Sequence, residues 1–127
     1  VVTDPGVIET LASNQITLAA GSYRIKAELP VVLNSANKTA LVQSKLYNVS
    51  DAADVAFSLN LQLGTANAAN SVTTAIQVID TVVTITSNKT YKFQTYQSGG
   101  TINVYGGLAA SIGANEYYSR VVIEKIG

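Results

Sequence analysis

The sequence predicts an all-β domain, a sandwich or barrel of about eight to ten short strands. Two observations carry that expectation. Apolar and polar side chains alternate with period 2 in run after run, and clusters of Gly, Pro, Asn, Asp and Ser interrupt the runs at spacings of about 8 to 14 residues. Helical periodicity has little support; the best windows, "VIETLASN" near the start and "DAADVAF" at 51–57, amount to a single turn each. No fixed-period repeat points to a propeller or β-helix.

In chain order, "VVTDPG" holds a turn signal at Asp4-Pro5-Gly6 and reads as a lead-in. "ITLAAGSYRIKAEL" follows, with Ile16, Leu18, Tyr23, Ile25, Ala27 and Leu29 turned one way and Arg24, Lys26 and Glu28 the other. Ala20-Gly21-Ser22 is read as a tight connection between two short strands, the second ended by Pro30. "TALVQSKLYNV" at 39–49 separates Ala40, Val42 and Leu46 from Leu41, Gln43, Lys45 and Tyr47. "VAFSLNLQLG" puts Phe57, Leu59, Leu61 and Leu63 on one face with Ser58, Asn60 and Gln62 between them.

"TANAANS" is a loop, and the Val-, Ile- and Thr-rich stretch from Ser71 to Thr86 is expected to form two strands broken at Asp80. "SNKT" turns into the strand "YKFQTYQ", "TINVYGG" is a short strand, and "EYYSRVVIEKIG" closes the chain as a central strand of the sheet. In that last stretch Tyr117, Val121 and Ile123 face one way, and Tyr118, Val122 and Ile126 the other. Both faces are largely apolar, so both must be covered, one by the domain's own core and the other by a second surface such as a neighbouring subunit. Arg120 and Glu124 share the second face and lie about 13 Å apart along the strand. If that face is buried, each needs an opposite charge from another strand or subunit.

Composition narrows the functions. At 127 residues and 47% hydrophobic the chain fills one core. Charged residues are only 13% and the formal net charge is zero, so the basic footprint of nucleic-acid binding is missing and the surface takes its polarity from Ser, Thr, Asn and Gln. Cys and His are absent, which removes thiolate nucleophiles, imidazole bases, disulfides and the usual zinc ligands. No apolar run approaches the length of a membrane span, and "VVTDPGVIET" has neither the basic nor the long apolar region of a signal peptide. The missing initiator Met suggests a fragment or a processed chain.

The remaining chemistry is sparse. The carboxylates are Asp4, Glu9, Glu28, Asp51, Asp54, Asp80, Glu116 and Glu124, none forming a convincing glycosidase pair. Asp51 and Asp54 read as solvated turn acids, with a calcium site as the weaker alternative. Ser35 and Lys38 match the letters of a Ser-Lys catalyst within an apparent loop. Three sequons, at Asn37, Asn48 and Asn88, read as turn formers. Seven Tyr against two Phe favour rims and interfaces where a ring must also meet water, a sugar or a partner; Tyr96 and Tyr105 are the candidate ligand-binding residues.

Taken in order, "ITLAAGSYRIKAEL", "SKLYNVSDA", "YKFQTYQSGG", "YGGLAAS" and "NEYYSRVVIEKIG" resemble the C1q/TNF-like trimeric jelly roll, in particular the head domains of phage tail or head fibres. The resemblance spans residues 14–127, leaving 1–13 as a lead-in from a stalk or upstream domain. It implies a two-sheet antiparallel jelly-roll sandwich, a homotrimer, and attachment to a host-surface glycan or another virion protein at the virion surface. Complement and cytokine functions are not carried over, because the fuller aromatic pattern and cysteines of those members are missing. The expected protein is thus a non-enzymatic, trimeric fibre tip without cofactors, binding carbohydrate and neither nucleic acid nor membrane. Its trimer interface comprises Tyr118, Arg120, Val122, Glu124 and Ile126. The alternatives are a trimerisation, capping or capsid-decoration module without a ligand and, from the enzyme class, a small carboxylate-dependent glycan hydrolase.

Overall fold

The alternating pattern becomes two antiparallel sheets. The computed structural model describes residues 8–12, 15–33, 38–67, 72–98, 104–105 and 120–127, and every regular element within them is a strand. In chain order these are β1 (Ile8–Ala12), β2 (Gln15–Leu18), β3 (Gly21–Leu33), β4 (Thr39–Asn48), β5 (Ala53–Phe57), β6 (Leu61–Gly64), β7 (Thr73–Ile85), β8 (Lys89–Ser98), β9 (Val104–Tyr105) and β10 (Arg120–Lys125). The first sheet runs β1-β2-β8-β4-β5 with β6 also on β4; the second runs β10-β3-β7 with β9 also on β3.

Pairing is nested. The β4–β5 hairpin is innermost, β3 pairs with β7 around it, and β2 pairs with β8 around those. Such nesting describes one long antiparallel ribbon, and rolling the ribbon brings β8 against β4 and β10 against β3. The result is the expected all-β fold of two antiparallel sheets, compatible with a two-sheet sandwich.

Inward-facing side chains from the two sheets meet in the core. Tyr23, Ile25 and Ala27 of β3 and Ile79 of β7 pack with Leu18, Leu46 and Tyr91 of the other sheet. Val31 and Leu33 of β3 meet Ala40, Val42 and Leu63. Each large apolar side chain buried this way stabilises the fold by about 1.5–3 kcal/mol.

A polar bridge crosses the same interior. Gln77 of β7 is buried, its Oε1 accepts from Ser44 Oγ at 2.5 Å, and its Nε2 donates to the Val42 carbonyl at 3.1 Å and the Leu59 carbonyl at 3.4 Å. The Ser44 N–H donates to Ser58 Oγ at 2.9 Å, and Ser44 Oγ also lies 2.8 Å from Thr95 Oγ1. Among the described residues no buried side-chain polar atom lacks a partner, as low-dielectric interiors require.

Several elements differ from the sequence expectation. Residues 73–85 form one 13-residue strand, not two broken at Asp80. No Gly or Pro interrupts that run, and the Asp80 side chain projects outward to an arginine on β3, so nothing there demands a turn. Pro30 does not end β3, which continues to Leu33. The Ser22 N–H and C=O both bond toward the C-terminal segment, and period 2 points the Pro30 nitrogen the same way. There Pro30 falls between the register of β10, which reaches Glu28, and that of β9, which begins at Val32. Among the described residues no strand N–H partner is lost, which is how a sheet accommodates proline.

Ala20-Gly21-Ser22 does not close a hairpin. It carries the chain from the first sheet into the second, since β2 pairs with β8 while β3 pairs with β7 and β10. Gly21 has φ +153°, and a Cβ there would lie 3.2 Å from the Gly127 carbonyl, Lys125 Cε and Tyr23 Oη.

The run of Phe57, Leu59, Leu61 and Leu63 is also divided. β5 and β6 lie on the same edge of β4, but the register moves by one residue between Lys45↔Phe57 and Val42↔Leu61. One inserted residue exchanges the faces of a strand, so Phe57 and Leu59 are exposed while Leu63 is buried. Ser58 turns inward instead, its N–H donating to the Ser44 carbonyl at 2.8 Å. Each helical window holds a strand instead: residues 8–12 pair with β2, and 53–57, after the turn at 51–52, pair with β4. Neither short segment can bury an amphipathic stripe, whereas a sheet edge supplies backbone partners to both.

The sequence expectation for β10 is a central strand, yet among the described residues it pairs only with β3 and ends its sheet. The chain end is nevertheless tied down. The Ser22 N–H donates to the Gly127 carbonyl at 2.9 Å, and the Ile126 N–H donates to the Ser22 carbonyl at 2.8 Å.

Two outcomes test this account. Gln77→Leu removes the amide while keeping an apolar body, so the Ser44 hydroxyl and two carbonyls lose partners; a loss of about 1–3 kcal/mol is expected in urea unfolding. Gly21→Ala meets both the positive φ and the close approach of three atoms, and a loss of about 1–3 kcal/mol is expected by the same measurement.

Candidate functional site

Closing the sandwich leaves two outer sheet faces of different chemistry. On the β10-β3-β7 sheet, period 2 sends Val121 and Ile123 toward the core, as expected, and Arg120, Val122, Glu124 and Ile126 outward. The outward side chains of the neighbouring strands extend this face. β3 adds Arg24, Lys26 and Glu28, and β7 adds Ile76, Val78, Asp80 and Val82. Ile76 is 62% exposed, Val82 59% and Val122 50%. Two antiparallel ladders, β10–β3 and β3–β7, carry these exposed apolar side chains among the charged ones.

Its charges are arranged in opposite-signed neighbours. Arg120 lies opposite Glu28 in the β10–β3 register, and Glu124 lies opposite Arg24. The opposite charges that Arg120 and Glu124 require are therefore available on the adjacent strand of the same chain. Arg24 is additionally clamped from the other side: its Nε donates to Asp80 Oδ1 at 3.0 Å and its Nη2 to Asp80 Oδ2 at 2.7 Å. That bidentate hydrogen bond, with the Asp80 charge, raises the Arg24 pKa, and the nearby Glu124 adds to the effect. The same hydrogen bond holds the Asp80 carboxyl below its ordinary value, against an opposing effect of desolvation and with the Arg24 and Lys26 charges adding to the lowering.

The second face belongs to β4, β5 and β8. Tyr96 is 72% exposed and lines an open groove with Leu41, Val42, Gln43, Asn60 and Gln97, about 200 Å³ in volume. This is smaller than the several hundred Å³ of an enclosed small-molecule pocket and suits a ligand that lies on the surface. Farther along, Tyr47 stands opposite Lys92 of β8. The Lys45 and Lys92 ammonium groups lie 5.3 and 5.5 Å from its ring centroid, within cation–π range. Lys45 Nζ also pairs with Asp54 Oδ1 at 2.7 Å.

Among the other residues singled out in the sequence, Tyr105 lies on β9, in the opposite sheet from the strand that carries Tyr96. Tyr117, Tyr118, Ser35 and Asn37 lie outside the described residues. Asp51 and Asp54 turn to different lysines: Asp51 Oδ1 takes Lys89 Nζ at 2.5 Å, while Asp54 takes Lys45. Asn48 is buried and forms the turn into β5, its Oδ1 accepting the Asp51 N–H at 3.0 Å and its Nδ2 donating to Asp51 Oδ2 at 2.9 Å. Among the described residues no group of three or more Asp or Glu side chains could hold a metal ion. Compared with known protein families, curated proteins and solved structures, the chain gives no match.

Sequence reasoning does not single out the apolar outer face of β7 or the Tyr47 cluster. A signal for the first is present, because aliphatic residues occupy both parities of β7 as they do of β10. No signal exists for the second, which depends on the β4–β8 register.

The Arg24–Asp80 pair makes stability pH-dependent in a stated direction. Because the folded Asp80 pKa is lowered, the pair contributes fully above the ordinary carboxyl value of 3.8 and the contribution is lost as pH falls through the depressed folded value. Asp80→Asn is expected to flatten the acid side of a plot of melting temperature against pH; an unchanged acid slope would show that the pair contributes nothing.

Proposed function

We propose that this chain is the head domain of a virion fibre, a non-enzymatic homotrimer displayed at the virion surface that attaches to a host-surface carbohydrate. The observation that carries the reading is the division of labour between the outer faces. The β10-β3-β7 face combines exposed aliphatic side chains with charges set beside opposite ones, Arg24 in an ion pair with Asp80 and Arg120 and Glu124 in register with Glu28 and Arg24, which suits coverage by a second and third copy. The β4-β8 face instead offers the Tyr96 ring and the side-chain amides of Gln43, Asn60 and Gln97 around an open groove, with the Tyr47 ring farther along. Rings with an apolar face and amides that both donate and accept suit a sugar, whose own surface alternates C–H patches with hydroxyls. The ordered resemblance to fibre-head jelly rolls in the sequence supports the same assignment.

Assembly and attachment are tested separately. Multi-angle light scattering is expected to give a trimer at micromolar concentration, and a double Val78→Glu, Val122→Glu variant, which places like charges on the proposed interface, is expected to give folded monomers. A stable wild-type monomer would overturn the trimer. On a glycan array the wild-type chain is expected to bind reproducibly, and Tyr96→Ser to bind at least fivefold more weakly, on the order of 1 kcal/mol. A trimer that binds no glycan would be a capping or decoration module instead.

A further inference from the structure

We infer that the carbohydrate is acidic, a carboxylate-bearing oligosaccharide laid along β4 and β8 with one carboxylate at the Lys92 ammonium. The inference rests on the carbohydrate-binding reading and assigns the chemical class of ligand to that same face. Its basis is the charge balance around Tyr47. Of the two lysines over the ring, Lys45 is neutralised by Asp54 at 2.7 Å, whereas Lys92 has no carboxylate partner among the described residues. Lys89, at the start of β8, is neutralised by Asp51. The patch therefore keeps one uncompensated ammonium, held near a ring on a face that otherwise offers neutral donors and acceptors.

The groove at Tyr96 lies on the same strands as this cluster, farther along β4 and β8. Tyr96 lies opposite Gln43 and Lys92 opposite Tyr47, with Lys45 opposite Gln94 between them. The span from Lys92 to Tyr96 is about 13 Å at the usual strand rise, longer than one sugar ring. A chain of sugars can thus place one ring on Tyr96, meet the Gln43 and Gln94 side chains, and bring an acidic unit to Lys92. A single free ammonium matches one carboxylate and not a densely sulfated chain, which needs several cations to offset its charge. A lysine beside a cross-strand tyrosine can also serve only to stabilise the sheet, and the experiment separates the two roles.

Isothermal titration calorimetry of the intact chain at low salt would use a carboxylated oligogalacturonide, a sulfated heparin oligosaccharide and a neutral malto-oligosaccharide. The oligogalacturonide is expected to bind tightest. Lys92→Gln is expected to weaken that binding about two- to fivefold, the effect of one exposed ion pair, and to leave the urea midpoint unchanged. High salt is expected to remove the difference between wild type and variant. The inference is overturned if Lys92→Gln binds the oligogalacturonide as tightly as wild type, or if the heparin oligosaccharide binds tightest. Binding of the neutral sugar alone would overturn the acidic assignment and leave carbohydrate attachment standing; binding of none, together with a blank glycan array, would overturn both.

Discussion

The two sheets are held in relation to each other by an amide as well as by apolar packing. Aliphatic surfaces tolerate sliding, because dispersion attraction forfeited at one position is partly regained at the next. Gln77 does not tolerate it. Its oxygen needs the Ser44 hydroxyl and its nitrogen needs the Val42 and Leu59 carbonyls, and a displaced amide would be buried without partners. β7 is thereby positioned over β4, and the outward side chains of both strands are positioned with them.

The same constraint explains the irregularity beside it. Ser58 satisfies the Ser44 N–H and donates its own N–H to the Ser44 carbonyl, so the chain must shift register by one residue between β5 and β6. Leu59 is then displaced to the surface while its carbonyl accepts from Gln77. The exposure of Phe57 and Leu59 is a consequence of satisfying backbone polar groups, which outweighs the burial of two apolar side chains on an edge strand.

Each outer face inherits its chemistry from strand register. On β3, the residues opposite β10 and β7 bring Arg24 between Glu124 and Asp80 and set Arg120 against Glu28. On β4, the register with β8 sets Tyr47 against Lys92 and Gln43 against Tyr96. The bonds from Ser22 to Ile126 and Gly127 tie these two residues to β3, beside a strand that among the described residues has no second neighbour.

Fold class, most strand positions and the inward face of each long strand follow from the sequence alone, because side-chain alternation with period 2 is a local property of an extended chain. The two-faced apolar pattern of "RVVIEK" is likewise legible, and it assigns Val121 and Ile123 inward and Val122 and Glu124 outward, as the structure has them. What the tertiary structure alone decided is pairing: that Pro30 could stay within β3, that Asp80 needed no turn once Arg24 lay beside it, and that Leu59 would face solvent. It also decided that Lys92 would stand over Tyr47, 45 positions apart in the chain. Each depends on hydrogen bonds or charges supplied by residues distant in sequence, and local periodicity contains no information about which distant strand will supply them.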